Sequence, residues 1–132
     1  MDDAAKKDLE IVVSRIIEQL DGVEAIYLFG SLARGTENAE SDYDVVAFVS
    51  KLPSNDTEAI FRVRYPLIGK LKRQLDFIVI GLEDLLYPSV ILYNIHREAR
   101  LLYGRDVLKD YERIASGMKP VVVNGATVGY YV

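Results

Sequence analysis

Two short motifs and one later aspartate are the residues of this chain whose types and spacing could do chemistry. The first motif is the run Gly-Ser-Leu-Ala-Arg-Gly at residues 30–35. The second is Asp42-Tyr43-Asp44, and ten residues separate its first aspartate from Ser31. Asp76 is a third acid, set inside a later apolar run. Each motif alone is common in turns and loop edges, but the combination favours a functional site. It predicts a phosphate cradle beside a metal-binding carboxylate cluster.

The three aspartates suit metal-assisted chemistry at phosphorus. Asp42 and Asp44 are two residues apart at the start of a predicted strand, so their side chains project from the same face. Mg²⁺ prefers oxygen ligands and keeps waters and substrate phosphates as further ligands. A pair of Mg²⁺ ions about 3.5–4 Å apart stabilises both the attacking and the leaving oxygen of an in-line displacement. Asp76 could reach the same face as a ligand or as the base for an incoming hydroxyl, and its place in an apolar run predicts burial that would be costly without a cation. We predict catalytic and metal-binding roles for Asp42, Asp44 and Asp76.

The glycine-serine motif suits the binding of phosphate. A short helix beginning at Ser31 would point free backbone N–H groups at a ligand beside the end of the preceding strand. Gly30 permits close approach of the backbone, and the Ser31 hydroxyl adds a donor. Arg34 either adds charge to the same pocket or braces the loop by bonding to backbone carbonyls or to Asp42, and the sequence leaves both readings open. We predict nucleotide-binding roles for Gly30, Ser31 and Arg34.

Composition excludes several other kinds of chemistry. The chain has 132 residues, half of them apolar, which fits one folded domain. It has no cysteine, which excludes a disulfide framework, a thiol nucleophile and a cysteine-ligated zinc site. Its only histidine, His96, is expected at the surface or at a helix end rather than in a metal site. The net charge of −4 argues against a broad nucleic-acid surface. The first seven residues are polar and no apolar run could span a bilayer, so we expect no signal peptide and a cytoplasmic protein.

Hydrophobic periodicity and turn signals predict the elements that must position these residues. Apolar residues at helical spacing predict a first helix that ends at Asp21-Gly22. Further helices are predicted over 57–74, interrupted by Pro66 and with a basic end that suits the helix dipole, over 90–98 and over 107–115. Strands are predicted over 24–29, 43–49, 75–80 and 100–104. The order α-β-β-α-β-α-β-α predicts a single α/β or α+β domain over residues 1–119.

The remaining residues, 120–132, are predicted to form a β-hairpin tail. Asn124-Gly125 lies between apolar runs there, which is a strong hairpin signal. Because an unpaired strand can pair with another chain, the tail with Tyr130 and Tyr131 is a candidate docking edge.

With these residues in hand, the chain resembles the minimal nucleotidyltransferases, the small prokaryotic branch of the polymerase-beta-like nucleotidyltransferase superfamily. The family pattern is G-S-x-A-R-G, then S-D-x-D-hydrophobic, then an acid on a later strand. It is met by residues 30–35, 41–45 and 75–77. The resemblance extends over about residues 5–110. It implies a mixed β-sheet catalytic domain flanked by helices.

The resemblance also implies a role for each motif residue. Gly30 and Ser31 would hold a triphosphate, and Asp42 and Asp44 would ligate magnesium. Asp76 would complete the triad beside the acceptor hydroxyl. The family reaction transfers a nucleoside monophosphate from a nucleoside triphosphate and releases pyrophosphate.

A partner protein is implied as well. Many of these small proteins are paired with a helical HEPN protein in toxin–antitoxin systems, where the transferase modifies a tyrosine of a ribonuclease. The chain is not itself the HEPN half, because no arginine stands four to six residues before His96. The resemblance therefore implies magnesium-dependent transfer of AMP from ATP to a hydroxyl of a partner protein, as the antitoxin to a HEPN ribonuclease.

Two alternatives stay open at this point, a weakly catalytic or non-catalytic antitoxin that binds nucleotide and acts by occlusion, and a transferase for an antibiotic or another small molecule. Larger relatives carry an extra acceptor-binding domain, for which we expect no room after the last helix. The acceptor site would then be shallow, supplied by the partner, or shared with a second copy in a homodimer.

Overall fold

The computed structural model describes residues 1–131, so Val132, the last residue of the predicted hairpin, lies outside the described residues. The α-helices are α1 (Asp3–Gln19), α2 (Gly30–Arg34), α3 (Asp56–Arg64), α4 (Val90–Glu98) and α5 (Glu112–Ser116). The strands are β1 (Val23–Phe29), β2 (Tyr43–Val49), β3 (Leu75–Gly81), β4 (Arg100–Gly104), β5 (Lys119–Val123) and β6 (Ala126–Tyr131). Short 3₁₀ segments lie at Tyr65–Leu67, Leu82–Leu86 and Val107–Tyr111. The predicted order of elements is confirmed.

The first four strands form one mixed sheet, as predicted. Their order is β3-β2-β1-β4, with β1 antiparallel to β2 and β4, and with β2 parallel to β3. The parallel pair arises because the chain crosses from β2 to β3 through α3. Since parallel neighbours begin at the same edge, the first residues of β2 and β3 meet the last residues of β1 at one end of the sheet. That end carries both sequence motifs.

Two apolar layers enclose the sheet. Helices α1 and α3 cover one face, where Ile16 and Val63 are fully buried. Helix α4 and the segment after β4 cover the other face, where Ile95 and Tyr111 are fully buried. A two-layer cover of this kind explains why the central strand β2 is apolar at every position after Asp44.

Side-chain caps fix the starts of the three longer helices. Asp2 accepts a hydrogen bond from the Ala5 N–H at the start of α1, and Asn55 and Ser89 make the same kind of contact before α3 and α4. Such caps satisfy backbone donors that the first turn of a helix leaves free. They explain why α3 and α4 begin within a residue of their predicted starts.

The helix predicted over 57–74 is shorter than expected. Helix α3 ends at Arg64, and Pro66 lies in the 3₁₀ segment that follows. Proline lacks an N–H and clashes with the preceding turn, and Gly69 then takes a left-handed φ of 76°. The basic residues Lys70, Lys72 and Arg73 therefore lie on an irregular segment, and the prediction that they complement a helix dipole was wrong.

The C-terminal part of the chain differs in detail from its prediction. Residues 107–115 begin as a 3₁₀ segment and become α-helical only from Glu112. The hairpin forms as predicted, with left-handed φ values of 52° at Asn124 and 78° at Gly125, and β5 and β6 make a separate two-stranded sheet. The Tyr130 hydroxyl donates to the Pro88 carbonyl at 2.9 Å and ties the hairpin to the start of α4. Among residues 1–131, no helix combines the length and the apolar character needed to cross a bilayer.

Candidate active site

The fold brings the three predicted aspartates to the same end of the sheet. Asp42 is the residue directly before β2, and Asp44 is the second residue of that strand. Asp76 is paired with Asp44 in the parallel register of β2 and β3. On the other side, Phe29 at the end of β1 is paired with Asp44. Asp44 is therefore the central carboxylate of the group.

The aspartates differ in their exposure to solvent. Asp42 and Asp44 are partly buried, whereas Asp76 is exposed. The expectation that Asp76 would be buried, drawn from its apolar neighbours, was wrong. Strand β3 lies at the edge of the sheet, and the side chain of Asp76, its second residue, is open to water. Asp44, on the inner strand β2, is instead the aspartate whose charge is partly buried within the sheet.

The surroundings of Asp44 disfavour its negative charge. Burial, together with the negative charges of Asp76, Asp42 and Glu98, raises the pKa of Asp44 to about 6. Removing a carboxylate from water and placing other carboxylates beside it both penalise the ionised form. A bound cation would reverse this penalty, and carboxylate oxygens are the ligands that Mg²⁺ prefers.

The aspartates do not form a complete metal cage by themselves. Over the described residues, no group of three or more His, Cys, Asp and Glu side chains could hold a metal ion. Magnesium is commonly held by one or two carboxylates, with waters and substrate phosphates completing its shell. The donor set therefore fits a site that is completed by a phosphorylated substrate.

Gly30 links the first motif to the second. Its φ is 77°, in the left-handed region that favours glycine. A Cβ built at Gly30 would overlap the carboxylate of Asp44. Glycine is thus required at this position both by the backbone and by the room that Asp44 occupies, and the loop backbone lies directly against the central carboxylate.

The short helix α2 begins at Gly30, one residue before its predicted start. Ser31 is partly buried in its first turn. Gly35 closes the helix with a φ of 76°, and its N–H bonds back to the Leu32 carbonyl, which is a common way to end a helix. The six-residue motif is therefore one compact turn bounded by two left-handed glycines.

Arg34 has a partner that sequence reasoning missed. Its Nη1 donates to Oε2 of Glu98 at 2.7 Å, and the Gly30 N–H donates to the other oxygen, Oε1, at 3.0 Å. Glu98 is the last residue of α4, and its side chain is 16% exposed. Neither expected role of Arg34, a phosphate contact or a brace to Asp42, anticipates this ion pair. The sequence gives Glu98 no signal beyond its place at the end of a predicted helix.

Arg73 is a second residue that sequence reasoning did not assign to the site. Its guanidinium donates to the backbone carbonyls of Asn38 and Ser41, at 2.6 and 2.9 Å. These carbonyls belong to the loop between α2 and β2, and Asp42 is the last residue of that loop. Arg73, which lies just before β3, therefore fixes the loop that carries Asp42 against the strand that carries Asp76.

His96 lies outside this group. Its Nε2 is 2.8 Å from a carboxylate oxygen of Glu112, and its ring packs against Tyr111. The contact joins α4 to α5 and gives His96 a structural role near the end of its helix.

Comparison with protein families identifies the class to which this fold and site belong. Residues 12–108 match the family described as polymerase beta, nucleotidyltransferase. The match extends over well more than half of the chain and includes both motifs and Asp76. The chain therefore belongs to the polymerase beta nucleotidyltransferase family, and it is an enzyme of the nucleotidyltransferase class.

Solved structures share the fold at low sequence identity. A chain of a toxin–antitoxin crystal structure with AMP-PNP is 21% identical, with a TM-score of 0.60, and the match covers 81% of this chain and 80% of that one. A chain of the complex between the tri-AMPylated Shewanella oneidensis HEPN toxin and the MNT antitoxin is 18% identical, with a TM-score of 0.56 and coverage of 83% and 79%.

Spectinomycin adenyltransferase AAD(9) from Enterococcus faecialis, crystallised with ATP and spectinomycin, is also 18% identical. Its TM-score is 0.65, and the match covers 83% of this chain and 63% of that one. Among curated proteins, no significant match is present. At these identities the structural neighbours establish the shared fold.

Proposed function

We propose that this nucleotidyltransferase transfers AMP from ATP, with magnesium, to a hydroxyl group of a HEPN-type partner protein. The observation that carries the proposal is the pairing of Asp44 with Asp76 across β2 and β3, next to Gly30, where an added side chain would overlap the Asp44 carboxylate. The family match supports nucleotidyl transfer, and the neighbours named for a HEPN toxin with its MNT antitoxin support the choice of partner. The AMP-PNP of another neighbour supports ATP as the donor.

Each residue of the site has a role in the proposed reaction. Asp42 and Asp44 would hold magnesium, which supplies charge neutralisation and orientation of the triphosphate when it is bound. Gly30, Ser31 and Arg34 would bind the outer phosphates, because backbone N–H, hydroxyl and guanidinium groups are the donors that phosphate oxygens accept.

Asp76 suits the role of the base. Because it is exposed at the edge of the sheet, an acceptor hydroxyl from another molecule can approach it. The hydroxyl oxygen attacks the α-phosphorus and its proton passes to Asp76. The bond from the α-phosphorus to the bridging oxygen breaks, and pyrophosphate leaves. Transfer to a hydroxyl thus needs no group beyond those named and the metal.

The proposed arrangement assigns residues 1–119 to catalysis and the hairpin at 120–132 to docking of the partner. Val122 and Val128 are more than half exposed, and so is Tyr131, which leaves apolar surface on the hairpin for another protein to cover. A cytoplasmic setting supplies ATP and magnesium. A homodimer would build a further wall for the open acceptor site.

Labelled ATP tests the proposal directly. The protein is incubated with magnesium, a HEPN-type partner and ATP labelled at either the α- or the γ-phosphate, and labelled protein is measured. We expect label from the α position only. Asp44→Asn should reduce it by at least about 100-fold, since loss of one strong electrostatic contact in such a site costs about 3 kcal/mol.

Asp21→Asn is the matched control, because Asp21 is an exposed aspartate in the loop between α1 and β1, away from the paired acids. It should transfer as the parent does. Undiminished transfer by Asp44→Asn would refute the assigned role of the central carboxylate.

One observation favours occlusion as a second candidate function. The Gly30 N–H and Arg34, which the transfer reaction needs for phosphate, are both engaged by Glu98. A chain whose phosphate donors stay occupied would neutralise its partner by binding alone. In that case Asp44→Asn would still suppress the partner, whereas changes on the exposed hairpin would not.

A further inference from the structure

The carboxylate of Glu98 contacts two donors of the glycine loop at once. Oε1 accepts from the Gly30 N–H at 3.0 Å, and Oε2 accepts from Arg34 at 2.7 Å. A carboxylate and a phosphate present similar pairs of anionic oxygens to such donors, and both favour two-point contact with arginine. Glu98 therefore makes the contacts that an anionic ligand of this loop would make.

The Gly30 N–H limits what the loop can hold. A backbone amide has one hydrogen to donate, so it cannot serve Glu98 and a phosphate oxygen with full strength at the same time. Glu98 also adds negative charge beside Asp44, whose pKa it helps to raise. An incoming triphosphate would meet both occupied donors and a like charge.

Glu98 and Arg34 differ in their freedom to move. The backbone at Glu98 is held between α4 and β4, which begins two residues later. The Arg34 side chain is 48% exposed, whereas the Glu98 side chain is only 16% exposed. Arg34 can thus rotate away from Glu98 while the helix and the strand stay in place.

We propose that Glu98 competes with the triphosphate inside the site. Glu98 must release the Gly30 N–H and Arg34 before the nucleotide binds. The inference rests on the proposed function, because it takes these two groups as phosphate donors. It makes Glu98 a residue that sets nucleotide affinity. A residue that merely holds Arg34 in position would have the opposite effect when it is changed.

Binding of inorganic tripolyphosphate and of ATP, each with magnesium, measured by calorimetry, tests the sign of the effect. Glu98→Gln keeps the shape of the side chain and removes its charge. Glu98→Asp keeps the charge but is too short to reach both donors. We expect each variant to bind both ligands at least about tenfold more tightly than the parent, since the ligand no longer has to break strong charge-assisted hydrogen bonds before it binds. Adenosine binding should not change.

Glu24→Gln is the matched control. Glu24 also pairs with an arginine, Arg105, at 3.4 Å, but it lies at the opposite end of β1. The affinity of the Glu24→Gln variant for tripolyphosphate should equal that of the parent. Unchanged or weaker binding by both Glu98 variants would overturn the proposal.

A measurement on the parent protein covers the case in which neither Glu98 variant folds. On saturation with tripolyphosphate, the amide signal of Gly30 and the side-chain carboxyl signal of Glu98 should both shift in the NMR spectrum. An unshifted Glu98 carboxyl signal at saturation would overturn the proposal.

The outcomes also separate this inference from the proposed function. Tighter binding by the Glu98 variants without transfer of an α-label to any hydroxyl would support competition by Glu98 and refute the transfer reaction. Transfer by the parent with no gain in affinity in the variants would support the transfer reaction and refute competition by Glu98. Absence of triphosphate binding in the parent and in every variant would overturn both.

Discussion

Two partly or fully buried aspartates on opposite sides of β2 have opposite surroundings. Asp8, in α1, is 9% exposed and accepts hydrogen bonds from the Tyr43 hydroxyl at 2.7 Å and from the Lys72 N–H at 2.8 Å. Asp44, the next residue after Tyr43, faces Asp76, Asp42 and Glu98 instead. One carboxylate is surrounded by donors and the other by carboxylates.

The difference separates an acid that the fold itself satisfies from the acid that is proposed to bind magnesium. Asp8 is satisfied by the folded chain itself, and it joins α1 to β2 and to the segment before β3. Asp44 is held where its charge is disfavoured, which is a cost in stability that is expected of a group kept for a function such as the proposed binding of magnesium. Burial of an acid alone therefore says little, whereas the partners of the acid distinguish the two roles.

The largest effect on stability is expected from a side chain at Gly30 that takes the space of the Asp44 carboxylate. Gly30→Ala should lower the free energy of unfolding by about 3 kcal/mol, since it adds a left-handed strain of about 1–2 kcal/mol to an overlap with the Asp44 carboxylate. Gly35→Ala is the matched control, because Gly35 has a similar φ but no atom within 4 Å of an added Cβ. It should cost only the backbone strain. Denaturant unfolding of both variants measures the difference, and equal losses would contradict the close approach at Gly30.

Removal of the satisfied acid should cost somewhat less. Asp8→Ala leaves the buried Tyr43 hydroxyl and the Lys72 N–H without their acceptor, and we expect a loss of about 2 kcal/mol in the free energy of unfolding. Glu10→Ala, an exposed acid on the same helix, should change stability by less than about 0.5 kcal/mol. Transfer by the folded Asp8→Ala protein should persist. Equal stability of the two variants would show that Asp8 is not the structural acid described above.

Binding of magnesium should depend on pH through Asp44. The pKa of Asp44 is raised to about 6 by burial and by the neighbouring carboxylates, and only the ionised form is a ligand. The affinity for Mg²⁺ in the presence of ATP should therefore fall as the pH drops through 6, by up to about tenfold per pH unit below it. Calorimetric titrations between pH 5 and about 8 measure the slope. A constant affinity across that range would contradict a role for Asp44 as a ligand.

The smallest effect is a gain in stability when Asp44, the proposed magnesium ligand, is neutralised. Because the folded pKa of Asp44 lies above its usual value of 3.8, ionisation costs the folded state free energy. Without metal, the contribution of Asp44 to the stability of the parent should decrease as the pH rises from about 4 to about 6, and Asp44→Asn should remove that contribution from the pH profile.

At neutral pH we expect Asp44→Asn to gain about 1 kcal/mol, a modest figure because water reaches part of this carboxylate. Thermal unfolding over the same pH range, in the presence of a chelator, measures both effects. A variant that is less stable than the parent at pH 7 would show that Asp44, like Asp8, is satisfied by the fold.

The sequence predicted most of the regular structure because local signals and tertiary packing agree there. The strand at 43–49 and the helix at 90–98 form with the predicted bounds, and Asn124-Gly125 makes the predicted turn. The segment at 65–74 was misjudged because its composition is helical, whereas Pro66 and Gly69 within it prevent the helix from continuing past Arg64.

The candidate site was predictable in its residue types but incompletely in its contacts. Gly30 and the three aspartates carry a recognisable spacing, and the strand register then brings Asp44 and Asp76 together. Glu98 contacts Gly30 across 68 residues of sequence, and no local pattern marks such a contact. No local pattern marks the contacts of Arg73 with the Asn38 and Ser41 carbonyls either. The basic residues of this segment instead predict the end of a helix.

By itself, the sequence determined the class of chemistry, since a glycine-serine loop followed by paired acids at fixed spacing suits phosphate and magnesium. Only the tertiary structure decided which acid bears the cost of its charge and which residue occupies the Gly30 N–H and Arg34, the proposed phosphate donors. Both depend on exposure and on partners from distant segments, namely the edge position of β3 for Asp76 and the end of α4 for Glu98. Spacing along a chain fixes neither, because burial and charge repulsion arise only when the strands and helices pack together.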